Sequence, residues 1–355
     1  MKVLVLDIAA SKTGALSVLS DFYSYVRDNA EAFHAKEAGT DGPVRWVFVT
    51  GVQGILESVP EKNIEVIVRD DVKASSRERL KFELLTGGKW VNGLSPDVVF
   101  SLENMLPKGI RPDIRQVLYI HQPVGFQREK RFSLFKPDER EQALYQRFYH
   151  PLILSSARRA DCSVVQTEWM RKALIAQTGM APDRVKKVMP DIPDLSDYVR
   201  SGEFDRMRFF YPASDLPYKN HAVAEEAREL LSSEGYDPQI LYTKDRVLPR
   251  EEVFAEYNRS TLLFPSYLET YGMPLGEAQQ FGNPILAADT GFAREVLAGY
   301  DNAHFFDAFS ASELSSLMRK VMDGDIGPCS PRSVNNGKNS YSDLVDIIRR
   351  LFRNM

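Results

Sequence analysis

The feature that most limits what this chain can become is a repeated alternation. Short, almost uninterrupted apolar runs are each followed by a stretch whose apolar residues recur at three- and four-residue spacing. The runs are Lys2–Ile8, Arg45–Thr50, Ile64–Val68, Asp97–Ser101, Gln116–Ile120, Ser163–Gln166 and Val185–Val188, with helical stretches such as Gly14–Arg27 and Pro137–Arg159 between them. Continuous β-branched runs suit strands buried on both faces, which is how helix-covered parallel sheets bury them. The pattern predicts an α/β protein with doubly wound parallel sheets. It breaks at Pro190–Asp205 (PDIPDLSDYVRSGEFD), which is rich in Pro and Asp and has no period. It restarts with Arg208–Tyr211, Gln239–Tyr242, Thr261–Phe264 and Pro284–Ala287. The expected division is a Rossmann-like domain over 1–190, a linker over 191–205, a second Rossmann-like domain over 206–340 and a C-terminal helix over 341–355. Ser342 is that helix's candidate N-cap. Its apolar stripe, Leu344, Ile347, Ile348, Leu351 and Phe352, needs a packing partner, for which the first domain is one candidate.

Composition narrows the classes. With 355 residues, 43% apolar and 26% charged, two cores are within reach and disorder is excluded. No window approaches the roughly 18 apolar residues a spanning helix needs. Asp7 interrupts the N-terminal MKVLVLDIAAS, so it is expected to be a first strand rather than a signal peptide. Cys162 and Cys329 are too far apart to suggest a disulfide framework or metal knuckle, and a reducing cytoplasm is expected. The net charge of −4 conceals an asymmetry: residues 1–200 carry +3 (29 basic against 26 acidic) and the remainder −7 (16 against 23). Neither half has the concentrated basic character of a nucleic-acid binder.

In open parallel sheets, ligands bind beyond the C-terminal ends of strands. Four such places hold unusual residues. In Phe264–Gly282 (FPSYLETYGMPLGEAQQFG), Glu269, Tyr271 and Gly272 follow a strand; Met273, Pro274 and Leu275 open a helix, and Glu277 lies on it. Pro274 suits a first helical position, and amides near Gly272–Leu275 form a candidate anion site. In Phe209–His221 (FFYPASDLPYKNH), Lys219 and Asn220 open a helix, where a cation can join the helix dipole in holding a diphosphate. His121 ends a buried strand in QVLYIHQPVGF, placed to donate to a phosphate or sugar hydroxyl or to serve structurally. Gly14 precedes a helix in SKTGAL, and a single glycine is not a nicotinamide fingerprint. Asp323-Gly-Asp325 follows a helix, so it is expected to be a solvated loop. No group of residues has metal spacing, and no Walker loop or nucleophile elbow is present. Phe126–Lys136 (FQREKRFSLFK) interleaves basic and aromatic residues, as a solvated surface does, or as a contact for an anionic or lipid-linked acceptor near a membrane would.

Together these residues resemble the family-4, GT-B-fold glycosyltransferases, retaining enzymes that use nucleotide-sugar donors. The most specific part is Glu269–Glu277, two glutamates in PSYLETYGMPLGEA, followed by FGNPILAADTGFAREVL. The resemblance implies that Glu269 faces the donor sugar and its diphosphate, that Glu277 binds the ribose hydroxyls, and that the Tyr271–Leu275 amides hold phosphate or sugar oxygens. Lys219 would meet the diphosphate. Family members usually carry an Arg five residues before that Lys, and Ser214 stands there. LDIAASKTGALSVLSDFY, LYIHQP and VVQTEWM are similar to a bacterial subgroup that builds surface polysaccharides. By that comparison Gly14 lies near the diphosphate, His121 near the transferred sugar, and Thr167 and Glu168 toward the cleft. Backbone at Arg246, Val247 and Leu248 would recognise the base. The implied partners are a nucleotide diphosphate sugar and a glycan or lipid-linked acceptor, with no cofactor, no divalent metal and peripheral contact with the inner membrane face as an option. A sugar-nucleotide epimerase or hydrolase of the same fold, and an inactive donor-binding subunit, stay open as alternatives.

Overall fold

A computed structural model describes residues 1–10, 13–30, 43–128, 130–200, 202–333 and 340–353. Two parallel sheets organise the chain. The first holds β1 (Lys2–Asp7), β2 (Arg45–Thr50), β3 (Ile64–Val68), β4 (Val98–Ser101), β5 (Arg115–Ile120), β6 (Cys162–Val165) and β7 (Val185–Lys187), in the order 3-2-1-4-5-6-7. The second holds β8 (Arg208–Tyr211), β9 (Gln239–Tyr242), β10 (Thr261–Phe264), β11 (Ile285–Ala288) and β12 (Ala303–Phe306), in the order 12-11-10-8-9. β12 was not foreseen: its AHFF has no β-branched residue, and pairing with β11 makes it a strand.

Each sheet is doubly wound, so each has a point where the strand order reverses: between β1 and β4 in the first, and between β8 and β10 in the second. Loops diverge there and leave a crevice. The two faces of the first sheet bury separate apolar clusters, around Phe22, Trp46 and Phe100 on one side and Leu6, Phe82 and Ile153 on the other.

The C-terminal helix, Ser340–Arg353, packs on the first sheet, with Leu344, Val345 and Ile348 buried beside Phe22, Phe100 and Val117. It starts two residues before the expected cap. Ser342 lies inside it, and the Ser340 N–H donates to Asp191 Oδ1 (2.9 Å). Residues 334–339, just before it, lie outside the described residues. The helix Ala311–Asp323 ends at Gly324, which places Asp323-Gly-Asp325 in a turn.

Phe126–Lys136 is a surface strip in its basic residues, with Arg128, Arg131 and Lys136 exposed, but not in most of its aromatics. Phe126 and Phe132 are buried, and Phe132 packs into the second sheet's core beside Phe264 and Leu268; Glu129 lies outside the described residues. Phe135 alone among its aromatics is exposed, at 92%.

Candidate functional site

Both reversal points open onto one cavity of about 960 Å³. The loop after β10 supplies Glu269 to Pro274, and the segment after β8 supplies Pro212 to Ser214 and, further on, Lys219. The first half contributes Asp7, Glu103, Asn104, His121 and Gln166 from the ends of four strands, and Arg79 and Glu83 from the helical run after β3.

On the second-half wall, Lys219 Nζ donates to Glu269 Oε1, and Ser266 Oγ donates to the same oxygen at 2.8 Å. Lys219 sits in a single 3-10 turn whose carbonyl accepts from Tyr211 OH (2.6 Å), which ties the lysine to the end of β8. Gly272 turns the chain with φ +88°, a backbone open to glycine and costly for other residues. The helix after it, Met273–Ala278, has six residues. Met273 is its first residue and Pro274, which has no N–H, its second; the Leu275 N–H is taken by the Gly272 carbonyl (2.9 Å) and the Leu275 side chain is buried. The expected row of free amides is therefore short, so Lys219 carries more of the positive charge this wall presents.

Glu277 departs from expectation. It is 2% exposed and does not line the cavity. Arg250 Nη2 donates to its Oε1 (2.6 Å), and Tyr257 OH to its Oε2 (3.0 Å). Asn220 also lies off the cavity: its side-chain amide donates to the carbonyls of Ala308 (2.6 Å) and Pro265 (3.3 Å), because its left-handed conformation (φ 60°) turns it toward the β10 loop. Val247 is 91% exposed and Leu248 leans on the second core; neither lines the cavity, and Arg246 pairs with Glu252 on the surface. Ser214 does line it, with its carbonyl bonded to His221 Nε2 (2.9 Å). Gly14 falls in the first turn of the helix Thr13–Asp28 rather than in the loop before it.

His121 lines the opposite wall. Its backbone N–H donates to Asn104 Oδ1 (2.7 Å), and among the described residues its imidazole makes no hydrogen bond. Burial lowers its pKa to about 4, so the ring is neutral near pH 7. Thr167 and Glu168 do not line the cavity. They join the halves instead: Thr167 Oγ1 donates to the Thr270 carbonyl (2.7 Å), and the Glu168 N–H to Glu295 (2.7 Å), which also holds Lys187 (2.9 Å).

The acids of the first-half wall were not anticipated. Asp7, Glu83 and Glu103 are buried around Arg79. Glu103 accepts from the Ala9 N–H (2.6 Å) and lies 3.4 Å from Arg79. Among the described residues, Asp7 Oδ2 and both Glu83 oxygens have no hydrogen-bond partner. Burial first, and the Glu103 charge second, push the carboxyls of Asp7 and Glu83 up to about 8 each. The sequence signal was present but diluted, as Asp7 and Glu103 stand just past strands and are separated by 95 residues of chain. Among the described residues no three His, Cys, Asp or Glu side chains group as metal ligands.

Residues 219–342 match a protein-family model described as glycosyl transferases group 1, less than half of the chain. No curated protein sequence matches. Among solved structures, sucrose-phosphate synthase from Thermosynechococcus elongatus is similar across all of both chains, at 13% identity and a TM-score of 0.62. The Anabaena protein Alr3699/HepE, solved in complex with UDP and glucose, is similar at 14% identity and a TM-score of 0.59, over 100% of this chain and 99% of that one. A glycosyltransferase from Rickettsia africae is similar at 11% identity and 0.57, over 100% and 99%. The fold is GT-B. Within it, the matched family segment carries Lys219, Glu269 and the Gly272 turn, the whole second-half wall of the GT-B cleft apart from Pro212 to Leu216 and Tyr218.

Proposed function

We propose that the chain is a retaining glycosyltransferase that moves a sugar from a nucleotide diphosphate donor to a hydroxyl of a glycan or lipid-linked acceptor, in surface polysaccharide or glycoconjugate synthesis. The observation that carries this reading is the Lys219–Glu269 pair beside the Gly272 turn, at a reversal point that faces the first half across one cavity. The family-model match over the same segment and the UDP complex of the Anabaena relative support a nucleotide-sugar donor.

In this reading Lys219 meets the diphosphate, and Glu269, whose carboxylate shares Lys219 and Ser266, orients the donor sugar. The acceptor oxygen bonds to the anomeric carbon as the bond to the β-phosphate oxygen breaks, and the acceptor proton passes to the departing phosphate on the same face. Lys219 stabilises the charge growing on that phosphate. Ser214 leaves the wall one cation short, and among the described residues the other cation lining the cavity is Arg79, on the opposite side. Neutral His121 donates to or accepts from the sugar without adding charge. No divalent metal is assigned a role, so a chelator is expected to leave turnover unchanged. Glu277 can bind a ribose only by exchanging Arg250 for it, so its contact with donor is competitive.

The test is a donor screen followed by transfer. The protein is titrated with UDP, GDP, ADP, CMP and dTDP conjugates, and the bound donor is then supplied with an acceptor panel. Transfer with retained anomeric configuration supports the reading; turnover of donor without acceptor points to an epimerase or hydrolase, and binding without any turnover to a donor-binding subunit.

A further inference from the structure

A second cavity, of about 350 Å³, is lined by both halves. It adjoins the first along the chain: Gln166, Glu269 and Thr270 line the first, and Trp169, Tyr267 and Leu268 the second. Its walls are mainly apolar and aromatic. Phe126, Tyr267, Leu268 and Phe292 are buried, and the partly buried Trp169 packs against the second core and one core of the first half. Gly291 lets that side chain approach, since a Cβ there would stand 3.2 Å from Trp169 Cβ. The volume lies at the small end of ligand pockets, enough for one sugar-sized ring.

The polar side chains of the lining divide into two sets. In one, every acceptor is taken. Gln127 Oε1 accepts from the Lys130 N–H (2.9 Å), and Gln177 Oε1 bonds His150 Nε2 (2.6 Å). Thr290 Oγ1 accepts from the Ala293 N–H (3.3 Å), and both Asp289 oxygens are held by Arg294 (2.6 and 2.7 Å). The other set is unmet, and each member can donate. Trp169 Nε1 and Tyr267 OH are out of solvent and, among the described residues, have no partner. Tyr267 is 4% exposed, and burial holds its pKa above the ordinary value, so its hydroxyl keeps its proton. Arg128 is exposed and, among the described residues, also lacks a partner. Buried donors without acceptors are uncommon in a fold, and two in one cavity point to a ligand that supplies the acceptors.

We propose that this second cavity binds a sugar ring that carries a carboxylate, as a unit of an acidic glycan. The aromatic and apolar walls take the apolar face of the ring, Trp169 Nε1 and Tyr267 OH donate to its oxygens, and Arg128 pairs with the carboxylate. A cationic ligand would find no free acceptor, and a neutral ring would leave Arg128 unpaired. Of the stretch Phe126–Lys136, Phe126, Gln127 and Arg128 line the cavity, which narrows its anionic contact to one place. That the bound ring is a further unit of the acceptor, reaching along the cleft from the first cavity, rests on the glycosyl-transfer reading. Binding of the ring is measured without it.

The chain has three tryptophans, Trp46, Trp90 and Trp169, so the full chain labelled with fluorotryptophan gives one fluorine resonance for each, and Trp169→Phe assigns the one that reports on this cavity. Titration with glucuronate is expected to shift that resonance saturably and to leave the other two in place. Glucose and benzoate, which each supply part of the chemistry, should bind about tenfold more weakly or worse. Arg128→Gln should weaken glucuronate about tenfold and Tyr267→Phe about threefold. Both variants should keep the parent's melting temperature, because neither side chain has a hydrogen bond to lose. The absence of a saturable shift with glucuronate overturns the proposal. So does glucose binding as tightly as glucuronate, or an affinity that Arg128→Gln leaves unchanged, since either removes the carboxylate. Benzoate binding as tightly as glucuronate overturns the sugar and assigns the cavity to an aromatic acid. Loss of all donor-nucleotide binding by the parent, read by calorimetry, with the glucuronate shift intact would instead count against the glycosyltransferase reading alone.

Discussion

The two walls that face each other across the cavity are built in opposite ways. The second-half wall is nearly complete in itself: Lys219, Glu269 and Ser266 satisfy one another, and the Tyr211 hydroxyl fixes the turn that carries the lysine. The first-half wall holds polar groups without full pairing, with three buried acids around one arginine and, among the described residues, carboxyl oxygens of Asp7 and Glu83 that lack partners. A wall that is satisfied before the ligand arrives is suited to recognising a fixed chemical group, as a diphosphate is. A wall with unmet hydrogen-bonding capacity is suited to a ligand that brings its own hydroxyls.

Breaking the second-half wall is expected to have the largest effect. Lys219→Ala removes the one cation that wall has among the described residues and should lower transfer by at least about a hundredfold, the scale of losing a preorganised charge contact to a developing anion. Steady-state rates with saturating donor would show it, and a variant within a few-fold of the parent would remove Lys219 from the chemistry. Glu277→Gln should act next, in two ways. It weakens the Arg250 and Tyr257 contacts, costing about 1–2 kcal/mol of stability, and it raises the donor KM if ribose replaces Arg250 on the carboxylate. A lower melting temperature with an unchanged donor KM would make Glu277 a purely structural residue.

The first-half wall predicts a pH signature. Asp7 and Glu83 keep their protons in the folded chain up to about pH 8. They do so among Glu103, Arg79, Lys73 and Arg159, while their ordinary values are 3.8 and 4.5. Between these limits the unfolded chain binds fewer protons than the folded one, so stability falls as pH rises through that window and levels off above it. Urea unfolding across the window should show the fall, and Asp7→Asn with Glu83→Gln should flatten it. Parallel curves for parent and variant would contradict the assignment. The smallest effect belongs to the contact between the halves: Thr167→Val removes the hydroxyl bonded to the Thr270 carbonyl and should cost about 1 kcal/mol, read as a small drop in melting temperature.

The contrast between the walls also explains what could be read in the sequence. Most strands were legible within a residue or so because buried parallel strands are written as continuous apolar runs, and β12 was not because its AHFF owes its state to β11. Lys219, Glu269 and Gly272 were legible because the second-half wall comes from two short contiguous segments. Asp7, Arg79, Glu83 and Glu103 were not, since only the strand order brings residues so distant in the chain to one reversal point. Asn220 and Glu277 were recognised as residue types in a motif, but their side chains are engaged by Ala308 and Pro265, and by Arg250 and Tyr257, contacts that no local pattern announces.

The central claim is that the Lys219–Glu269 wall holds a nucleotide diphosphate sugar. Calorimetric titration of the parent and of Lys219→Ala with the UDP, GDP, ADP, CMP and dTDP sugar conjugates tests it most directly. The account predicts saturable binding of at least one conjugate by the parent and its loss, by tenfold or more, in the variant, where about 1.4 kcal/mol corresponds to each tenfold step. Equal binding by both proteins, or no binding by the parent to any of the five, would contradict it.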